Sequence, residues 1–139
     1  MFKRILLASD GSEHALRAAE KTTYLTTQTY DVEVVILYVV DSSKSKSDVL
    51  SIGEGEAVKE ERRRRISSTE GILQKKGINY STQIMKGEPG PSIVEFAKKN
   101  GIDLIIIGSR GLNSFQEMVL GSVSHKVAKR AACPVMIVK

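Results

Sequence analysis

The chain has 139 residues, enough for one domain with a substantial core and short for two. Its 41% hydrophobic and 27% charged content is ordinary for a soluble globular protein, and no apolar run approaches the ~20 residues of a membrane span. A formal charge of +5 invites a nucleic-acid reading, but much of the excess lies in KEERRRR and in scattered lysines.

In chain order, KRILLA (3–8) is a short apolar run followed at once by the turn-like SDGS. The next segment, SEHALRAAEKTTYLTT, places Ala15, Ala18, Ala19, Thr22 and Leu25 on one helical face, with Ser12 able to cap its first turn. VEVVILYVV (32–40) is β-branched and almost wholly apolar, the pattern of a strand covered on both faces. Residues 41–55 are polar and read as a loop. A charged helix is predicted over 56–76, with Gly77 as a left-handed C-cap. INYSTQIM (78–85) alternates like a strand, and KGEPGP is a turn that puts Pro91 at the first position of the helix SIVEFAKKN. IDLIII (102–107) is a further buried strand, VSHKVAKRA a final helix and PVMIV (134–138) a final strand.

Five strands alternating with four helices predict one α/β domain over 1–139. It is an open five-stranded parallel sheet with helices on both faces, three layers in all. Ligands of such sheets sit beyond the carboxyl ends of the strands, near the point where strand order reverses. Three loops at that edge carry suggestive chemistry: Ser9-Asp10-Gly11, Val39-Val40-Asp41 and Gly108-Ser109-Arg110-Gly111.

The stretch GSRGLNSFQEMVLGSVS (108–124) is the most informative. Gly108 follows a buried strand, where a missing side chain lets a ligand approach the backbone. Gly111 permits a tight loop with inward N–H groups. Phe115, Met118, Val119 and Leu120 suit a packed turn that returns the chain to Gly121 and Ser122. There a helix begins whose first N–H groups have no internal acceptor, and Ser122 and Ser124 add hydroxyls. The chemistry points to an oxyanion, a nucleotide phosphate. Neither GxxxxGK[ST] nor GxGxxG is present, so the transfer machinery of the P-loop enzymes is missing.

The pattern G-x2-G-x9-G-[ST], here Gly108, Gly111, Gly121 and Ser122, resembles that of the ATP-binding universal stress proteins. KRILLASDGSEHALRAAE is similar to that family's amino terminus, VVILYVVD to its second strand and GSVSHKVAKRAACPVMIVK to its carboxyl end. The resemblance implies a Rossmann-like fold of the adenine nucleotide alpha hydrolase type. It further implies ATP as ligand, with Mg2+ or Mn2+, and a regulatory role in stress with little or no turnover. Asp10 would lie by ribose and phosphates and face a nucleotide-bound divalent ion, since two bare anions repel. Val39 would hold adenine through its backbone, with Ala8 and Ser9 lining the base side. Gly108, Ser109, Arg110 and Gly111 would cradle ribose and phosphate, and Gly121, Ser122, Val123 and Ser124 would bind the outer phosphates. The alternatives are a weak ATPase or autophosphorylating enzyme, and a nucleotide-free interaction or nucleic-acid-binding protein.

Other residues carry blander expectations. His14 and His125 read as exposed helix residues without triad or metal-ligand partners. Arg62 to Arg65 read as a solvated face paired with Glu60 and Glu61. No aromatic residues interleave them, so nucleic acid is not an expected partner. Cys133 reads as a buried structural thiol. With no secretory pattern at the start and no second cysteine, a cytoplasmic location is expected. The strand Pro134 to Val138 should lie at a sheet edge, where pairing with its twin would give a homodimer, as the resemblance also implies.

Overall fold

In a computed structural model of the protein, residues 2–27, 31–41, 55–111 and 120–139 are described. The elements among them are β1 (Arg4–Ala8), α1 (Glu13–Thr27), β2 (Glu33–Asp41), α2 (Glu56–Lys75), β3 (Tyr80–Gly87), α3 (Pro89–Lys99), β4 (Leu104–Gly108), α4 (Ser122–Arg130) and β5 (Val135–Val138). The strands form a five-stranded parallel sheet in the order β3-β2-β1-β4-β5. The predicted α/β class and three-layer arrangement are therefore present.

The strand order decides which face each helix covers. The chain winds outward from β1 to β3 and then returns to the other side of β1 for β4 and β5. Because parallel crossovers are right-handed, reversing the direction of winding moves the helices to the opposite face. One core accordingly joins Ile5 and Leu7 of β1 with Ala18 and Ala19 of α1 and Leu73 of α2. The other joins Leu6 and Ala8 with Ile93 and Ala97 of α3 and Val127 of α4. Alternate residues of β1 thus feed opposite cores, as strand geometry requires.

Local chemistry sets the element ends. Gly77 adopts φ +63°, the left-handed cap that its position predicts. Its N–H donates to the Gln74 carbonyl and that of Ile78 to the Leu73 carbonyl. Ile78 is thereby held to the helix it follows, which is why β3 begins at Tyr80, two residues later than its alternation suggests. Helix α3 begins at Pro89 rather than at Pro91, with Glu88 at the N-cap and the Ser92 N–H donating to the Glu88 carbonyl. Both prolines fit in the first turn, where an N–H has no helical acceptor to lose. At the opposite end of the sheet, Asp103 accepts from the backbone N–H groups of Lys3 and Arg4, at 2.9 Å each. Those bonds, Arg4 first, hold its carboxyl below the ordinary range.

Candidate functional site

The strand order reverses between β1 and β4. From β1 the chain departs to α1 on one face, and from β4 to α4 on the other. Two loops diverging from adjacent strands leave a crevice at the carboxyl edge of the sheet. All the predicted site residues lie along this edge. Ala8 ends β1 with Ser9 and Asp10 following it, Val39 stands near the end of β2, and Gly108 to Gly111 leave β4. Gly121 to Ser124 open α4. Asp41, at the end of β2, pairs with Gly87 of β3.

The β1–α1 loop is a sequence of side chain to backbone bonds. The Ser12 N–H donates to Asp10 Oδ1 at 2.9 Å, and the Ala15 N–H to Ser12 Oγ at 3.2 Å, the N-cap predicted for α1. The Gly11 N–H donates to Ser9 Oγ at 3.2 Å, and Gly11 itself adopts φ +77°. A β-carbon on Gly11 would meet the Arg65 side chain at 2.5 Å, so α2 lies directly over this turn.

The β4–α4 loop is centred on Ser109. Its N–H donates to the Val138 carbonyl of β5 at 2.7 Å. Its carbonyl accepts from the Gly121 N–H and from Ser124 Oγ, both at 2.7 Å. Its hydroxyl lies 3.3 Å from His14 Nδ1 on α1. One buried residue therefore fastens the glycine loop to β5, α4 and α1 together. The Ser124 hydroxyl, predicted to face phosphate, is buried and donates to backbone instead, with the Gly121 carbonyl also 3.1 Å away. Ser122 is exposed and Val123 half-buried. Gly121 is the N-cap and supplies no side chain to the first N–H groups of α4, which have no acceptor within a helix. The predicted packed turn of Phe115, Met118 and Val119 lies outside the described residues, as does most of the predicted loop 41–55.

The glycines have specific neighbours. A β-carbon on Gly108 would lie 2.8 Å from both the backbone carbon and Cβ of His14 and 3.0 Å from the Ala15 nitrogen. Close approach of α1 to β4 is thus a demand for glycine at this position that the sequence alone does not show. A β-carbon on Gly111 would lie 2.6 Å from Asp10 Oδ2, so the two loops meet across the crevice at these residues. At Gly121 it would lie 3.4 Å from the Arg110 Cα.

Several contributors escape sequence reasoning. His14 is half-buried rather than exposed, and its Nδ1 lies 3.1 Å from Arg17 Nη2. Burial, then the charges of Arg17 and Arg110, hold it below the usual 6.5. Thr69 of α2 is fully buried with its hydroxyl 3.1 Å from Ser9 Oγ. Its signal was available: Ile66, Thr69 and Leu73 share one helical stripe, and a polar residue there needs a partner. Arg65 had no such signal. It pairs with Glu61 at 3.2 Å and also engages Tyr38 of β2. Arg63 and Arg64 form a solvated face as expected, with Arg63–Glu60 at 3.0 Å and Arg64–Glu61 at 2.9 Å, while Arg62 is half-buried. Cys133 is half-buried, and burial raises its thiol above the ordinary value. Among the described residues no helix is long and apolar enough to cross a membrane.

Residues 1–139 match the universal stress protein family. Universal stress protein MJ0531 of Methanocaldococcus jannaschii is 33% identical over 146 residues, covering 100% of this chain and 83% of its own length. Universal stress protein YxiE of Bacillus subtilis is 34% identical over 149 residues, with 100% of each covered. The solved structure of MJ0577, also from Methanocaldococcus jannaschii, aligns with a TM-score of 0.88 at 32% identity, over 100% of this chain and 96% of that one. Two more distant structures share the fold at 20% identity. One is a universal stress protein in complex with cAMP (TM-score 0.71, covering 99% of this chain and 96% of that one). The other is the Archaeoglobus fulgidus protein in complex with dAMP (TM-score 0.73, covering 100% and 98%). With the family match spanning residues 1–139 and a relative's structure aligning over the whole chain, this chain belongs to the universal stress protein family.

Proposed function

We propose that this chain binds ATP in the crevice between β1 and β4 and acts in the cytoplasm as a nucleotide-dependent regulator of the stress response, with little turnover. One observation carries the reading. The Ser109 carbonyl, gripped by the Gly121 N–H and the Ser124 hydroxyl, fixes the glycine loop against the start of α4. The N–H groups of Ser122, Val123 and Ser124 then stand beside the loop, at the positive end of the helix dipole. That arrangement suits the outer phosphates, with donation from backbone rather than from Ser124 Oγ. Gly108, Ser109, Arg110 and Gly111 take ribose and phosphate, while Ala8, Ser9 and the Val39 backbone take the adenine side. The complexes of distant relatives with cAMP and dAMP support an adenine nucleotide as the ligand class.

Among the described residues no group of three His, Cys, Asp or Glu could hold a metal. Asp10 alone is a poor metal site, so Mg2+ or Mn2+ belongs with the phosphates, screening them from its carboxylate. Heating the purified protein and chromatographing the released small molecules should yield adenine nucleotide, and calorimetry should show ATP binding. Failure of both would sink the reading, and a time course of ADP release measures turnover.

A homodimer through Pro134 to Val138 completes the proposal. β5 lies at the sheet edge with Val135, Met136 and Ile137 half-buried, and among the described residues no strand pairs with its outer side, which a second copy would cover. Sedimentation should give twice the chain mass, and a monomer throughout the micromolar range would refute it.

A further inference from the structure

A hydroxyl relay links α2 to the turn that carries Asp10. At one end is an N–H, which only donates: Gly11 gives its proton to Ser9 Oγ at 3.2 Å. At the other end is a carbonyl, which only accepts: the Arg65 oxygen receives Thr69 Oγ1–H at 3.3 Å. The middle contact, Ser9 Oγ to Thr69 Oγ1 at 3.1 Å, has one direction that satisfies both ends. Ser9 must donate to Thr69. The Ser9 proton is therefore spent inside the protein, and Ser9 presents no donor to a ligand.

The same helix also presses on the turn from outside. The Arg65 stem occupies the space a side chain on Gly11 would need, and its guanidinium is anchored by Tyr38 and Glu61. Asp10 lies between Ser9 and Gly11, so both of its neighbours are fixed by α2. Its own carboxylate bridges from the Ser12 N–H to the face of Gly111. We infer that Thr69, with the stem of Arg65, is a positioning device that sets the Asp10 carboxylate against the glycine loop; this rests on the nucleotide reading above. Neither residue need touch the ligand. They act through Ser9 and Gly11.

The test compares Thr69→Val, which keeps shape and removes the hydroxyl, with Thr69→Ser, which keeps the hydroxyl. Thr69→Val should raise the ATP Kd about threefold to tenfold, the equivalent of one neutral hydrogen bond. Thr69→Ser should return it to within about twofold. A role in global stability alone predicts an unchanged Kd on folded protein and no amide shift confined to the Asp10 turn. In ligand-free protein the Gly11 and Asp10 amide resonances should move in Thr69→Val, while that of the remote Asn100 stays. An unchanged Kd or unmoved Gly11 and Asp10 amides overturns the inference. Wild-type protein that binds no ATP would sink the nucleotide reading alone, and the amide shifts would then decide the positioning by themselves. Should Thr69→Val not fold, Arg65→Ala takes its place: a raised Kd restored by Arg65→Lys supports the inference, and an unchanged one overturns it.

Discussion

Gly108→Ala separates two meanings of a glycine in a ligand loop. A β-carbon there would stand 2.8 Å from two carbon atoms of His14 and 3.0 Å from the Ala15 nitrogen. Ordinary carbon contacts lie at about 3.5–4.0 Å, so α1 must retreat from β4 by about 0.7 Å or more. The obstacle is helix backbone, which cannot rotate aside as a side chain would. Overpacking of this kind costs about 1–3 kcal/mol. For a domain of this length each kcal/mol lowers Tm by about 3–5 °C, giving an expected drop of about 3–15 °C. Gly71→Ala serves as the control, because a β-carbon there meets nothing within 4 Å. It lies inside α2, so replacing glycine should raise stability by about 0.5–1 kcal/mol. Thermal unfolding by circular dichroism reads both, with ATP affinity measured at 25 °C on folded protein. If Gly108→Ala melts with the wild type and loses ATP alone, ligand approach rather than helix packing is what demands glycine, and the reasoning fails.

Ser124→Ala should lower stability by about 1 kcal/mol through loss of its bond to the Ser109 carbonyl, and should weaken ATP less than about threefold. Abolished binding at unchanged stability would mean that the hydroxyl serves the ligand directly. For His14, the folded value lies below 6.5, so the unfolded chain takes up the proton first. Its contribution to stability is complete above pH 6.5 and is lost as pH falls through that value toward the folded one, levelling off below. Urea midpoints from about pH 8 to about pH 5 should therefore fall less in His14→Gln than in the wild type, and a steeper fall would refute this. Cys133, with its thiol raised by burial, should react with iodoacetamide near pH 8 more slowly than free cysteine. Alkylation at the rate of the free thiol would contradict the burial.

The strands were legible where side-chain type and environment agree. Leu104 to Ile107 and the run from Val34 to Leu37 are β-branched or branched apolar residues, and the sheet buries them on both faces. The start of β3 was not, because Ile78 looks like part of an alternating strand while its N–H is claimed by Leu73, a preference set by Gly77. The site was legible as a set of loops at one sheet edge, since glycine, serine and helix starts announce themselves locally. Its internal wiring was not. The pairing of Ser9 with Thr69 spans sixty residues, and the packing of Gly108 on His14 spans ninety-four. Contacts of that separation leave no trace in spacing. The direction of the Ser124 hydroxyl was hidden for the same reason, because its acceptor, the Ser109 carbonyl, is placed by the fold and not by the local pattern.

The strand order also has a kinetic meaning. β1 finds β2 and β4 finds β5 across about thirty residues, but Ile5 of β1 meets Leu104 of β4 across ninety-nine. Closing so large a loop before any reward arrives is slow, so the two halves of the sheet should form as separate strand–helix–strand units and join late. The crevice exists only where those halves meet. During synthesis, therefore, a chain can hold much of its core while still having nowhere to put a nucleotide, and ligand present early would favour the joined state only after the last strands emerge.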